Sequence, residues 1–268
     1  MSNAMMDFDF SGRNVVVSGG TSGINLGIAD GFAAAGASVF VFSRDQEKVD
    51  AAIKQLATYG GKVDGCAVDV RDGDAVKSAF ARCARDFGEL DVVISGAAGN
   101  FPALANDISS NGFRAVMEID VLGTHHVMTA AFPYLKKPGA SVINISAGQS
   151  YVPQVGQVHV CAAKAGVDQI TRTLALEWGP VGVRVNSVSP GPIEGSGGME
   201  RLYADKGQLA ARIAGVPLRR LGSNKDIGDA CKFLSSDMAS YISGVLLPVD
   251  GGSGLNINTT RLAEVLAS

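Results

Sequence analysis

The sequence predicts a single α/β domain: a doubly wound parallel sheet of seven strands flanked by helices on both faces. Two observations carry that expectation. Short runs rich in β-branched residues alternate along the chain with longer stretches of helical period, which is the pattern of βαβ units. A glycine-rich turn, Gly19 to Gly23, stands directly after the first such run. A length of 268 residues is enough to bury the two-sided core that a covered sheet requires.

The predicted strands run, in order, Asn14 to Val17, Ser38 to Phe42, Lys62 to Val68, Asp91 to Ile94, Ser141 to Ile145, Val183 to Val188 and Val245 to Val249. Their near-continuous apolar character suits strands buried on both faces. The first helix is expected from near Gly23 to Gly36, where a glycine suits the left-handed cap. One region departs from this alternation. Gly191 to Gly198 is rich in glycine and leads into a helical pattern from Met199 to Ile213, so a small lid around 194–215 is expected over a ligand. Met1-Ser2-Asn3-Ala4 before Met5 reads as a remnant of expression, which places the domain at 5–268.

Composition excludes several function classes. A net charge of -3 without a basic cluster leaves no electrostatic footprint for nucleic acid or a membrane surface. Cys66, Cys83, Cys161 and Cys231 are widely spaced with no C-x-x-C, so neither a zinc site nor a disulfide framework is expected. His125 and His126 are adjacent and diverge on a helix, so no metal is expected. No run reaches the ~18 apolar residues of a membrane span, and no basic-then-apolar signal or peroxisomal ending is present. A cytoplasmic location is expected.

Glycines in the first strand-to-helix turn let the backbone approach a pyrophosphate, whose charge meets the unpaired amides of the helix N-terminus. Gly19, Thr21, Ser22, Gly23 and Ile24 are the residues placed there, so a Rossmann-type dinucleotide site is predicted. The second strand ends at Ser43-Arg44 rather than at a carboxylate, with Lys48 one helical turn on. Hydroxyl and guanidinium donors suit a 2′-phosphate, so NADP(H) is favoured over NAD. Asp45 stands against that choice.

The Gly19 to Asn25 segment resembles the T-G-x-x-x-G-x-G fingerprint of short-chain dehydrogenases/reductases, with Ser18 for the threonine and Asn25 for the third glycine. Asp69-Val70 looks like that family's adenine contact. Gly96-Ala97-Ala98-Gly99 stands where Asn-Asn-Ala-Gly is usual, giving Ala97 and Gly99 as cofactor contacts. Pro190-Gly191-Pro192-Ile193 resembles the segment that meets the nicotinamide carboxamide, through Pro190 and Ile193. The resemblance covers nearly the whole chain.

That family reduces carbonyls with a Tyr-x-x-x-Lys pair, an upstream serine and a helix asparagine. Here the lysine is kept as Lys164, while Val160, Ala147 and Asp120 stand at the other three positions. Ala97-Ala98-Gly99-Asn100-Phe101, Ile119-Asp120, Gln157-Val158-His159, Leu176-Glu177-Trp178-Gly179-Pro180 and Pro190-Gly191-Pro192-Ile193 resemble the 2,4-dienoyl-CoA reductase branch, in its flavin-free, peroxisomal-type form. The resemblance implies Asp120 and Lys164 as the catalytic pair, an acyl-CoA substrate and a homotetramer joined through helices at Ala105 to Tyr134 and Val155 to Trp178. It also places Asn100 and Phe101 at the acyl entrance and Arg71 and Arg201 on the CoA phosphates. Tyr151 is a candidate donor to the thioester oxygen and His159 a further substrate contact, each against ordinary packing; Arg219 and Arg220 read as structural.

Two other functions remain open from sequence. One is an NADPH-dependent carbonyl or 3-oxoacyl reductase whose acid has moved to Tyr151 or His159. The other is a nucleotide-binding protein without catalysis. Retention of Lys164 together with Asp120 argues against the second, since binding alone needs no such pair.

Overall fold

A computed structural model describes residues 8–196 and 206–255. Seven strands, β1 (Asn14–Ser18), β2 (Ser38–Ser43), β3 (Val63–Ala67), β4 (Val92–Ser95), β5 (Ser141–Ile145), β6 (Arg184–Pro190) and β7 (Leu246–Val249), form one sheet. Their order is β3-β2-β1-β4-β5-β6-β7, and every neighbouring pair is parallel. The expected fold is therefore observed, with strand ends moved by one or two residues.

Period-two alternation divides the core between the two faces. Val15, Val17, Val39, Val41, Val92 and Ile94 point to one side, where they meet Ile28 and Phe32 of α1 (Gly23–Ala34) and Ile227 and Cys231 of α8 (Asn224–Ser235). Val16, Phe40, Phe42 and Val93 point to the other, against Phe80 of α3 (Gly73–Phe87) and Met128 of α5 (Gly123–Ala131). Helix α2 (Gln46–Leu56) starts after β2, and Asp45 caps it, accepting from the Lys48 amide at 3.3 Å.

The helix expected from Ala105 begins instead at α4 (Ser110–Met117), because the Ser109 hydroxyl accepts from the Gly112 amide at 3.1 Å and sets the first turn there. Between α4 and α5 the chain makes a π-helical turn over Glu118–Leu122. Helix α6 (Val158–Trp178) crosses the sheet beneath β5 and β6, starting three residues later than expected. Helix α7 (Lys206–Ala214) follows β6, and 197–205 of the expected lid lie outside the described residues.

Chain order reverses across the β1/β4 pair, and a doubly wound sheet opens a crevice at the carboxyl ends of the strands at such a point. A cleft of about 1010 Å³ lies there, extending from Ser43 and Arg44 to Pro190 and Pro192.

Candidate active site

One end of the cleft is built around the N-terminus of α1. Ser22 precedes the helix in an extended conformation and its side chain caps nothing, which leaves the first-turn amides directed at the cleft. Gly23 has φ +52, and the place a Cβ would take has no heavy atom within 4 Å. Gly19, at φ +72, lies so close to the next segment that a Cβ would stand 3.0 Å from the Ala97 nitrogen. The turn is thus open where a phosphate would sit and closed where it packs on the loop after β4, which fits a dinucleotide. Thr21 donates to Ser43 at 2.8 Å, and exposed Arg44 and Lys48 line the same end.

Asp120 and Lys164 meet at the other end. Asp120 lies in the π-helical turn, and such turns redirect a side chain that a regular helix would place elsewhere. Its Oδ1 accepts from the Gly99 amide at 2.7 Å, and its Oδ2 is 3.1 Å from Lys164 Nζ. Their side chains are 0% and 7% exposed. Lys164 also donates to the Ile145 carbonyl at 3.1 Å and lines the cleft. A buried ion pair of this kind stands only with further hydrogen bonds, which the Gly99 amide and the Ile145 carbonyl provide. Val160, one turn before Lys164, is buried against Val116 and Ala163 and lines the cleft. Ser146, Ala147 and Asn100 complete this end.

Of the residues singled out from sequence, Gly19, Thr21, Ser22, Gly23, Ile24, Ser43, Arg44, Lys48, Asp69, Val70, Ala97, Gly99, Asn100, Lys164 and Pro190 line the cleft. Others lie elsewhere. Ile193 is 1% exposed, with its side chain packed against Gly222 and in the core. Arg71 folds back on Asp69, its NH2 2.6 Å from Oδ2, and this pairing is the main cause holding the Asp69 carboxyl below its ordinary value. His159 is fully buried with Nε2 2.9 Å from the Phe101 carbonyl, and its ring stacks at 4.6 Å on Phe101. Neither His159 nor Phe101 is part of the cleft lining. The Tyr151 hydroxyl turns toward Ser189 and Asp250; burial is the main cause raising its phenol above the ordinary value, and it too is absent from the lining. Arg201 lies outside the described residues. Arg220 is structural as expected, paired with Asp226 at 2.8 Å in the cap of α8.

Two residues of the site carry no signal in the sequence, and a third, Asn25, shows there only as a departure from the glycine fingerprint. Arg212 of α7 lines the cleft, one of two basic residues in a short amphipathic helix and without a distinguishing signal. Gln149 lines it too, its amide 3.3 Å from buried Gln157. Asn25 reaches across to donate to the Gly96 carbonyl at 2.7 Å, and Gly27 packs instead against α8, where a Cβ would stand 2.3 Å from that of Asn224.

Residues 19–254 match the family profile described as enoyl-(acyl carrier protein) reductase. The chain is 40% identical over 255 residues to a peroxisomal 2,4-dienoyl-CoA reductase, (3E)-enoyl-CoA-producing, of Arabidopsis thaliana, covering 91% of this chain and 85% of the relative. It is 39% identical over 247 residues to a probable 2,4-dienoyl-CoA reductase, (2E)-enoyl-CoA-producing, of Bacillus subtilis, covering 91% and 97%. Among solved structures, a short-chain dehydrogenase from Bacillus anthracis superposes with a TM-score of 0.84 at 35% identity, covering 92% of this chain and 98% of that one. The fold, the glycine turn and the lysine beneath the cleft agree with these likenesses, and the chain belongs to the short-chain dehydrogenase/reductase family, as an oxidoreductase that uses a nicotinamide cofactor.

Proposed function

We propose that the protein reduces 2,4-dienoyl-CoA thioesters to 3-enoyl-CoA with NADPH. The observation that carries this reading is the buried Asp120–Lys164 pair beside Val160. The usual phenol is replaced by a group with no proton, while an ammonium lines the cleft with a fully buried carboxylate directly behind it. The Arabidopsis relative is named for this reaction, and the Bacillus subtilis one for reduction of the same substrate class to a 2-enoyl-CoA.

The chemistry explains why a tyrosine is dispensable. The nicotinamide, when bound, supplies a hydride to the δ-carbon of the conjugated thioester. Charge then moves through the conjugated system to the thioester oxygen, giving a dienolate and no alkoxide. The protein must stabilise that oxygen and deliver a proton to carbon. In this reading Asn100 and Gln149 offer amides toward the oxygen, and Asp120, buried behind Lys164 and outside the lining, acts through the lysine on a water that protonates the α-carbon. Lys164 orients the cofactor ribose and keeps Asp120 in place. Neither acid of the rival carbonyl-reductase reading fits as well, because Tyr151 and His159 face Ser189 and the Phe101 carbonyl.

The choice of NADPH is supported by Ser43, Arg44 and Lys48 at the adenine end. Asp45, the residue that stood against it, is engaged as the cap of α2. A homotetramer is supported by an apolar groove of about 600 Å³ across α5 and α6, lined by Met128, Phe132, Ile170, Leu174 and Trp178. Arg212 places α7 over the cleft, in keeping with a substrate lid. Among the described residues no helix is long and apolar enough to cross a membrane, and the cytoplasm is the proposed location. The test is turnover of NADPH with a medium-chain 2,4-dienoyl-CoA beside a panel of ketones. Preference for the dienoyl thioester is expected; faster ketone reduction contradicts the reading.

A further inference from the structure

Positions 25 and 96 depart from the family pattern in opposite senses. An asparagine, Asn25, stands where the fingerprint expects a glycine, and a glycine, Gly96, stands where the loop after β4 expects an asparagine. The two departures meet in space. Asn25 Nδ2 donates to the Gly96 carbonyl at 2.7 Å. A Cβ on Gly96 would fall 2.2 Å from Asn25 Oδ1, 2.5 Å from its Cγ and 2.6 Å from its Nδ2. The gap between α1 and the β4 loop therefore holds one amide side chain, and here α1 delivers it.

The loop has little else to hold it. Gly96-Ala97-Ala98-Gly99 carries no hydrogen-bonding side chain of its own, so beyond the packing of Ala97 on the core its position depends on backbone contacts, on Asn25 and on Asp120. Gly96 is fixed on both sides, its nitrogen donating to the Ser18 carbonyl at 3.2 Å and its carbonyl accepting from Asn25. Three residues on, the Gly99 amide donates to Asp120 Oδ1 at 2.7 Å, and Asp120 Oδ2 faces Lys164 at 3.1 Å. One continuous set of contacts thus joins the dinucleotide turn to the acid.

We propose that Asn25 is a positioning residue for the Asp120–Lys164 pair, acting through the 96–99 loop, and that residues 25 and 96 form a single exchangeable unit. The amide works from either position, provided the other is glycine. Moving it in one step removes the tether or crowds the gap; moving it in two fills the same gap from the loop side. The consequence for turnover rests on the dienoyl-CoA reading, whereas the consequence for the loop does not.

The experiment is amide hydrogen exchange of the 95–101 segment in the free protein, with turnover and thermal unfolding, for Asn25→Ala, Gly96→Asn and the double variant Asn25→Gly/Gly96→Asn. Each single variant should speed exchange at Gly99 by about tenfold or more, with the double returning most of the protection. With NADPH and dienoyl-CoA, each single variant should lower kcat by about tenfold while the KM for NADPH moves by less than about threefold, and the double should recover kcat. Unchanged exchange at Gly99 in Asn25→Ala overturns the proposal, as does a double variant no better than Gly96→Asn. If Asn25→Ala does not fold, the comparison of Gly96→Asn with the double variant decides the matter alone. If the unmodified protein leaves dienoyl-CoA untouched, the functional reading fails and the exchange result still judges the tether.

Discussion

The two ends of the cleft hold charge by different physics. At the adenine end Arg44 and Lys48 are exposed and hydrated, and the α1 amides supply a partial positive charge worth ~0.3–1 kcal/mol toward an anion. At the chemical end Asp120 and Lys164 are removed from water and held by the Gly99 amide and the Ile145 carbonyl. Exposed charges can be exchanged one at a time with small, screened effects. Buried ones stand or fall as a pair. Cofactor preference therefore belongs to the tunable end of this site, and the reaction belongs to the end that tolerates little change.

Breaking the buried end has the largest expected effect. Asp120→Ala and Lys164→Ala should each lower dienoyl turnover by ~10²–10⁴-fold, the cost of losing an acid or base group. Each should also destabilise the fold by ~3–5 kcal/mol in urea unfolding, since the remaining charge is left buried and unpaired. Undiminished turnover in a folded Asp120→Ala protein removes the role given to that carboxylate. Val160→Tyr sharpens the same comparison. A phenol at that position should not speed dienoyl reduction, because the proton is needed at a carbon; a rate gain there would return the tyrosine mechanism to favour.

At the exposed end the effects are smaller. NADPH should bind at least about tenfold tighter than NADH, or about 1.4 kcal/mol, and Arg44→Ala should erase most of that preference in fluorescence titration. Equal affinities in the unmodified protein count against it. Smaller again is the exposed capping box of α8, which calibrates what a surface charge contributes here. Its Arg220 partner is the main cause holding Asp226 well below the usual carboxylate range. A depressed folded value contributes stability above the unfolded value, which is lost as the pH falls through the folded one. Asp226→Ala should thus cost about 1 kcal/mol at neutral pH, and the difference from the unmodified protein should narrow progressively below about pH 4. A difference that does not change with pH would show that the charge plays no part.

The sheet was legible because burial on both faces leaves long apolar runs, and Val15 to Val17 or Val39 to Phe42 fit nothing else in a chain of this length. The dinucleotide turn and the Asp120–Lys164 pair were legible from motif spacing and resemblance. Side-chain direction was not. Sequence placed Arg71 near the cleft, yet a carboxylate two residues away captures its guanidinium, and local pairing of that kind leaves no periodic trace. The π turn that aims Asp120 was hidden as well, because Glu118 to Leu122 reads as an unbroken helix. Asn25 appeared only as a missing glycine; its partner lies 71 residues away at Gly96, and the compensation became visible when the two met.

The position of the product's double bond tests the central claim most directly. Turnover of a 2,4-dienoyl-CoA with NADPH in D₂O, followed by NMR of the product, reports which carbon the site protonates. Delivery to the α-carbon by the water on which Asp120 acts through Lys164 predicts a 3-enoyl-CoA carrying deuterium at C2. A 2-enoyl-CoA deuterated at C4, or the absence of dienoyl turnover altogether, would contradict the account.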